Sequence, residues 1–278
     1  MEQFASGWKR HYYGKGDVVA YRLNRGAEKT VFGANVLMLV SGDAFWPTYT
    51  EGDNTGLIAT DSMKNFIQRE TLNFTGSDLL SYCRFLGEKF LATYPQAEGV
   101  QVKASEVPYA ALPGGVGFTP GGPDRAMARV EIGRGGIVEA ISGIHGFKLL
   151  RLGGSAFHGF VRDEYTTLPE MTNRPLHMWL DVEWQYAGPE AVNSDGATVA
   201  AARTSVREVF ESFESGSIQQ VIYQMGTALL AALPAIAEIS LEAQNRTWDA
   251  VAEGGADAGV FTDPRPAYGC LGLRLRRS

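Results

Sequence analysis

The chain has 278 residues, enough for one large domain or two ordinary ones. Hydrophobic residues make up 45% and charged residues 20%, the balance of a soluble globular protein and not of a disordered one. A net charge of −6 argues against a nucleic-acid partner, because phosphate binding needs a basic face, yet it leaves room for a small anion held by one buried arginine.

Val18 to Leu23 and Val31 to Val40 read as two strands joined by the turn signal Asn24-Arg25-Gly26. Tyr49 to Asn54 reads as a turn, Leu57-Ile58-Ala59 as a strand end, and Thr60 or Asp61 as the cap of a helix reaching Glu70. A second helix follows Thr75-Gly76-Ser77. Its apolar positions Leu79, Leu80, Cys83, Leu86, Phe90 and Leu91 fit a 3.6 period, and Tyr94-Pro95 ends it. Gly99 to Ala110 and Ala126 to Ile132 read as strands on either side of a long Gly- and Pro-rich hairpin tip, Pro113 to Pro123.

Gly133-Arg134-Gly135-Gly136 marks a boundary, which divides the chain into units 1–134 and 135–278. Beyond it the order recurs. Ile137 to Leu152 reads as a strand. In Leu176 to Tyr186 Met178, Leu180, Val182 and Trp184 alternate with Trp179, Asp181, Glu183 and Gln185, the period of a sheet with one covered face. A helix carries Val199, Ala202, Val206 and Phe210 on one side. Another starts at Ser217 and stops at Leu233-Pro234, and strands follow at Ala235 to Leu241 and Tyr268 to Leu275. Each unit is therefore expected to be a four-stranded antiparallel sheet with two helices on one face, an α+β arrangement. Its sheet edges are open, and ring-shaped oligomerisation would pair them.

The two cysteines, Cys83 and Cys270, have no metal-type partners in the sequence, and His11, His145, His158 and His177 show no HxH or HExxH spacing. Neither a zinc site nor a disulfide framework is indicated; the expectation is two reduced thiols. Residues 1–10 lack the apolar run of a signal peptide, no apolar stretch reaches 18 residues, and the tail Leu273 to Ser278 lacks a peroxisomal signal. Cytoplasm is the expected location.

The stretch Ile58-Ala59-Thr60-Asp61-Ser62-Met63-Lys64-Asn65 carries the most information. A chain running into a capped helix leaves a hydroxyl and several free N–H groups facing one point, which suits a small anion. Together with Tyr13-Gly14-Lys15 upstream and Arg162-Asp163-Glu164-Tyr165-Thr166-Thr167-Leu168 downstream, it resembles the urate oxidase (uricase) family. The resemblance implies two tandem tunnelling-fold units and barrels built from several subunits. It also implies oxidation of urate by O2 and water to 5-hydroxyisourate and H2O2, with no metal or organic cofactor.

By the same resemblance Lys15 is the base that draws a proton from urate, and Thr60 is its relay partner. A lysine serves as a base only where burial or a nearby cation lowers its pKa. Asp61 contributes its backbone N–H to the ligand. Phe157 is the stacking aromatic. Arg174, six residues after Leu168, grips a carbonyl oxygen and a ring nitrogen together, and Gln219 pairs with the opposite edge of the ring. Ile218 adds a backbone N–H, and Leu168 packs against the ring. The family has Asn and then His two residues apart on a late strand. Here Asn245 is the match, with Thr247 in the place of the His; a slip of one residue puts Gln244 and Arg246 there instead. The relay is then Lys15 and Thr60 alone or with Thr247. The family's sites lie where two subunits meet, so a homotetramer is expected. Two alternatives stay open: a non-redox purine- or pterin-binding relative, and an oligomeric binder that has lost catalysis.

Overall fold

The computed structural model describes residues 11–188, 195–254 and 258–277. The chain opens with β1 (Tyr13–Asn24) and β2 (Thr30–Ser41), then a 3-10 turn (Asp43–Phe45) and the helices α1 (Trp46–Thr50), α2 (Thr60–Asn73) and α3 (Leu79–Thr93). β3 (Gly99–Glu106), β4 (Tyr109–Ala111), β5 (Phe118–Pro120), β6 (Arg125–Gly133), β7 (Gly136–Arg151) and β8 (Leu176–Tyr186) follow. The remainder is α4 (Gly196–Glu211), α5 (Ile218–Ala232), β9 (Ile236–Asn245), β10 (Ala250–Glu253), β11 (Gly259–Phe261) and β12 (Gly269–Arg276). The order strand-strand-helix-helix-strand-strand thus occurs twice, as β1-β2-α2-α3-β3-β6 and as β7-β8-α4-α5-β9-β12. The reading of residues 1–10 lies outside the described residues.

The chain clusters into two compact units. One takes the residues up to Gly143 together with 185–199; the other takes Ile144–Trp184 and Ala200–Ser278. In the first, the strand order is β1-β2-β3-β6 with antiparallel neighbours. Helix α2 lies on β1, and α3 lies on β3 and β6. Val36, Met38, Val100, Val102, Ala128 and Val130 are fully buried in these strands. Each larger side chain among them stabilises the unit by about 1.5–3 kcal/mol relative to exposure.

In the second unit the order is β7-β8-β9-β12, with β9 and β12 antiparallel. The alternation expected in β8 is present: Leu176, Met178, Leu180, Val182 and Trp184 are buried, and the residues between them are part-exposed. Val199, Ala202, Val206 and Phe210 of α4 are buried as their spacing requires. Helix α5 packs on β9 and β12.

The two long helices α3 and α5 share one design. Each has 15 residues, and each carries glycine at the ninth position, Gly87 and Gly226. A Cβ on Gly87 would sit 2.8 Å from Ile132 Cδ1, and one on Gly226 would sit 2.8 Å from Leu275 Cδ1. An alanine at either position would press on the tip of an aliphatic side chain of the sheet, which would have to turn aside, so glycine lets each helix sit close to its sheet. Both helices are capped by a side chain that accepts the N–H three residues on, Asp78 from Ser81 and Ser217 from Gln220. In both a single cap residue, Tyr94 or Leu233, separates the helix from a proline.

Several local expectations need correction. Tyr49 and Thr50 belong to the short α1, which places proline early in its first turn. Leu57-Ile58-Ala59 is not strand but the irregular run that follows a turn, and α2 continues to Asn73. Neither Thr60 nor Asp61 caps α2. The cap position is Ala59, which has no side-chain acceptor, so Thr60 is the first residue of the helix proper. The tip 113–123 contributes β5 to a small hairpin with β4.

Candidate active site

The first cluster of candidate residues lies where β1 meets the start of α2. Gly14 and Lys15 pair with Leu39 and Met38 of β2, and the register slips between Lys15 and Val18. Asp17, in that bulge, has φ 56, and its carboxylate accepts from Asn35 Nδ2 at 2.8 Å. Gly14 is required by contact: a Cβ there would lie 1.9 Å from the Met38 carbonyl oxygen. The half-buried Lys15 is thus fixed between a glycine pressed onto β2 and a bulge.

The helix start comes to this strand through Tyr13. Its phenol oxygen accepts the Ile58 N–H at 2.9 Å, and burial pushes the phenol pKa up to about 12. The ring stands edge-on to the buried Phe45. Thr60 is exposed, and its hydroxyl makes no hydrogen bond among the described residues. Asp61 accepts from Lys64 at 2.5 Å and from Asn65 at 2.9 Å. These bonds, the Lys64 one foremost, hold its carboxyl below the usual range, and Lys15 adds a smaller contribution in the same direction. The carboxylate is therefore engaged within its own helix, leaving the N–H groups of the first turn free.

The second cluster lies in the other unit and is built from three irregular segments. Phe157 exchanges backbone hydrogen bonds with Met171 at 2.7 and 2.9 Å. The Arg174 N–H donates to Ser155 O at 2.9 Å, and the Ala156 N–H donates to Ser215 O at 2.7 Å. The segments bearing Phe157, Arg174 and the approach to α5 are thereby tied together. The Arg174 guanidinium lies over the Phe157 ring at 5.5 Å, and Phe157 itself stacks on Phe160 at 4.9 Å. Burial lowers the Arg174 pKa from its ordinary value, and its buried Nε finds no acceptor among the described residues. Ile218 begins α5 behind its cap Ser217 and is buried; Gln219 is exposed. Leu168 is partly exposed, and its carbonyl accepts from Arg162 at 3.2 Å.

Arg151 holds this arrangement and carries no sequence signal. It donates to Phe210 O, Phe213 O, Gly154 O and Ser215 Oγ at 2.6–2.9 Å. A cleft of about 390 Å³ opens among the same segments, lined by Gly154, Ala156, Thr172, Asn173, Glu214, Ser215 and Gly216. Neither Phe157 nor Arg174 lines it.

The late strand carries the residues of both candidate registers. Arg246 bonds Gln244, its neighbour two residues back, and its guanidinium is sandwiched between the rings of Trp179 at 3.9 Å and Tyr268 at 4.0 Å. Gln244 and Arg246 are thus engaged with each other and with aromatic rings. Asn245 and Thr247 are half-buried, and their side chains make no hydrogen bond among the described residues. Among the described residues no group of three His, Cys, Asp or Glu could hold a metal ion. Cys83 is buried and Cys270 exposed, both as free thiols. No described helix is long and apolar enough to cross a membrane.

A doubled strand-strand-helix-helix-strand-strand unit, with an aromatic and an arginine presented beside a capped helix, defines an α+β protein of the tunnelling-fold class. Residues 140–269 match the family model described as Uricase. The uricase of Haloferax volcanii is 35% identical over 91% of this chain and 93% of its own length. A urate oxidase of Bacillus sp. TB-90, solved as a hyperthermostable mutant, superposes with a TM-score of 0.87 at 32% identity, covering 97% of this chain and 100% of that one. The chain belongs to the uricase family. It is also 36% identical, over 92% of its length, to the uric acid degradation bifunctional protein of Bacillus subtilis. It spans only 59% of that relative and 58% of a second bifunctional protein from Bacillus sp. TB-90.

Proposed function

We propose that this chain oxidises urate with O2 and water to 5-hydroxyisourate and H2O2, using neither metal nor organic cofactor. Urate supplies two electrons to O2, water supplies the added hydroxyl, and peroxide carries away the two protons. The observation that carries the reading is the joining of Phe157, Arg174 and the start of α5 into one hydrogen-bonded group, with the guanidinium over the ring. Such a group offers a flat face, a planar fork of donors and a helix N-terminus to a flat anion.

In this reading Phe157 stacks on the purine, Leu168 packs beside it, and Arg174 grips a carbonyl oxygen and a ring nitrogen. Gln219 and the Ile218 N–H hold the opposite edge. Lys15 takes the proton, Thr60 passes it on, and the Asp61 N–H touches the ligand. Asn245 holds O2 and then water above the ring, and Thr247 extends the relay. The protein's contribution is position and charge, since the electrons come from the substrate. The two repeats read from the sequence are 1–134 and 135–278, the active assembly is a homotetramer with sites between subunits, and the location is cytoplasmic.

One observation favours a second reading. Thr247 stands where the family has a histidine, and a chain without that base could bind urate and leave it unchanged. Incubation of metal-stripped protein with urate in air separates the two. Loss of urate absorbance with equimolar peroxide supports oxidation. A urate-induced rise in melting temperature without turnover supports the binder.

A further inference from the structure

Arg246 follows the last residue of β9, and three strands of the second unit hold it. Its guanidinium lies 3.9 Å from the ring centre of Trp179 in β8 and 4.0 Å from that of Tyr268, the residue before β12. Its side chain donates to Gln244 in β9, and its backbone N–H donates to His177 O in β8 at 3.0 Å. A cation between two aromatic faces is attracted by both, and the planar guanidinium stacks on each. The Trp179 ring is itself held, because the ammonium of Lys148 in β7 lies 4.7 Å from its centre.

The neighbours of Arg246 in sequence face the other way. Strand alternation puts Asn245 on the side of Leu241 and Ala243, the buried side on which α5 packs, and puts Gln244 opposite, with Arg246. Strand β9 runs back along α5. The chain turns from one into the other where the Ile236 N–H donates to Leu233 O at 3.1 Å, and a Cβ on Gly226 would lie 3.1 Å from Leu241 Cδ1. From Leu241 to Asn245 the strand advances about 13 Å, and from Gly226 back to Ile218 the helix spans about 12 Å. Asn245 therefore comes level with the first turn of α5, which carries Ile218 and Gln219. Thr247 is the next position on the same side.

We propose that Arg246 is a positioning residue for the O2 step: stacked between Trp179 and Tyr268, it fixes the end of β9 so that Asn245 and Thr247 face the start of α5. The role in the O2 step rests on the reading in which Asn245 holds O2 and then water above the purine. Arg246 itself faces away from that side of the sheet. Its loss should therefore spare the grip of Arg174 and Gln219 on urate and act on the use of O2.

Two variants of the full chain test this. Arg246→Met keeps an apolar stem between the rings and removes the cation, and Arg246→Lys keeps a cation there. The measurements are the urate dissociation constant without O2, initial rates at saturating urate over a range of O2, and amide hydrogen exchange of residues 244–248. In Arg246→Met the KM for O2 should rise about tenfold while the urate Kd stays within about twofold, because a reacting group is displaced and the substrate grip is not. Exchange should quicken at 244–248 and stay as in wild type at 155–174. Arg246→Lys should recover most of both losses. Wild-type exchange at 244–248 in Arg246→Met overturns the proposal, as does an unchanged KM for O2. So does a parallel loss of urate binding and O2 use, which general loosening of the fold would produce, and so does an Arg246→Lys as impaired as Arg246→Met. If the wild type leaves urate unoxidised, the oxidase reading falls, and the exchange at 244–248 still decides whether Arg246 holds the strand end.

Discussion

The phenol oxygen of Tyr13 accepts the backbone N–H of Ile58 at 2.9 Å, and this bond joins the strand that carries Lys15 to the turn that delivers Thr60. The two positions are 45 residues apart in sequence. Tyr13→Phe keeps the ring against Phe45 and leaves the Ile58 N–H without its acceptor. A buried unpaired donor costs about 1–3 kcal/mol, so the melting temperature should fall by several degrees. The expected kinetic signature is a loss in kcat of about tenfold, with KM for urate changed less. Steady-state kinetics beside a thermal melt give the answer. Unchanged kcat in the variant would mean that the bond does not position Thr60.

Lys15 and Arg174 are assigned to different tasks, and substitution should separate them. Lys15→Met should lower kcat by about 10²–10⁴-fold, the usual range for a general base, with little change in KM. Arg174→Ala removes the planar fork over Phe157 and should raise KM far more than it lowers kcat. Arg174→Lys should recover little, because an ammonium cannot make two parallel bonds. Near-normal turnover by Lys15→Met would remove it from the role of base, and an unaltered KM in Arg174→Ala would remove Arg174 from the grip on substrate.

Gly14→Ala is a harsher perturbation than its size suggests. The added Cβ meets the Met38 carbonyl at 1.9 Å, and a backbone atom cannot rotate away as a side-chain tip can. Strand β1 must lift from β2 at this point, and Lys15 moves with it. The cost should exceed about 2 kcal/mol, at the high end for a single substitution. Denaturant titration measures it. A change in stability of less than about 0.5 kcal/mol would show that β1 is not held against β2 here.

The repeated order of elements was legible because each copy carries its own punctuation. Thr75-Gly76-Ser77 and Ser217 announce helix starts, Pro95 and Pro234 their ends, and the alternation in β8 declares a covered sheet face. Hydrophobic period and caps are local, and a sequence displays them. The start of α2 was misplaced by one or two residues because its cap is Ala59, which has no polar side chain to signal it. The segments that hold Phe157 and Arg174 have no period at all. Their order comes from bonds such as Phe157 to Met171 and Arg151 to Ser215, which span 14 and 64 residues and leave no local pattern. The candidate site residues were reached through family resemblance, and the side chains that position them, Tyr13 and Arg151, were not.

Stability should depend on pH through a pair of carboxyls in the first unit, the buried Asp195 and the half-buried Asp78. Asp78 caps α3. Burial works to raise its pKa, yet the Ser81 N–H and hydroxyl, donating at 2.9 and 2.7 Å, hold it below the usual carboxylate range. Asp195 is 2% exposed, accepts from the Tyr186 hydroxyl at 3.3 Å and faces Asp78. Burial first, and then Asp78, push its pKa from 3.8 up to about 7. A carboxyl whose pKa is raised on folding binds its proton more tightly in the native state. Its contribution is fully present below pH 3.8 and is lost progressively as pH rises to about 7. Asp195→Asn keeps a donor toward Asp78 and an acceptor toward Tyr186 and removes the titration. The melting temperature of the variant minus that of wild type should therefore climb between about pH 4 and pH 7 and level off above it. Melts in a series of buffers at fixed ionic strength test this directly, and a difference that stays constant across that window would mean that Asp195 folds as an ordinary carboxylate.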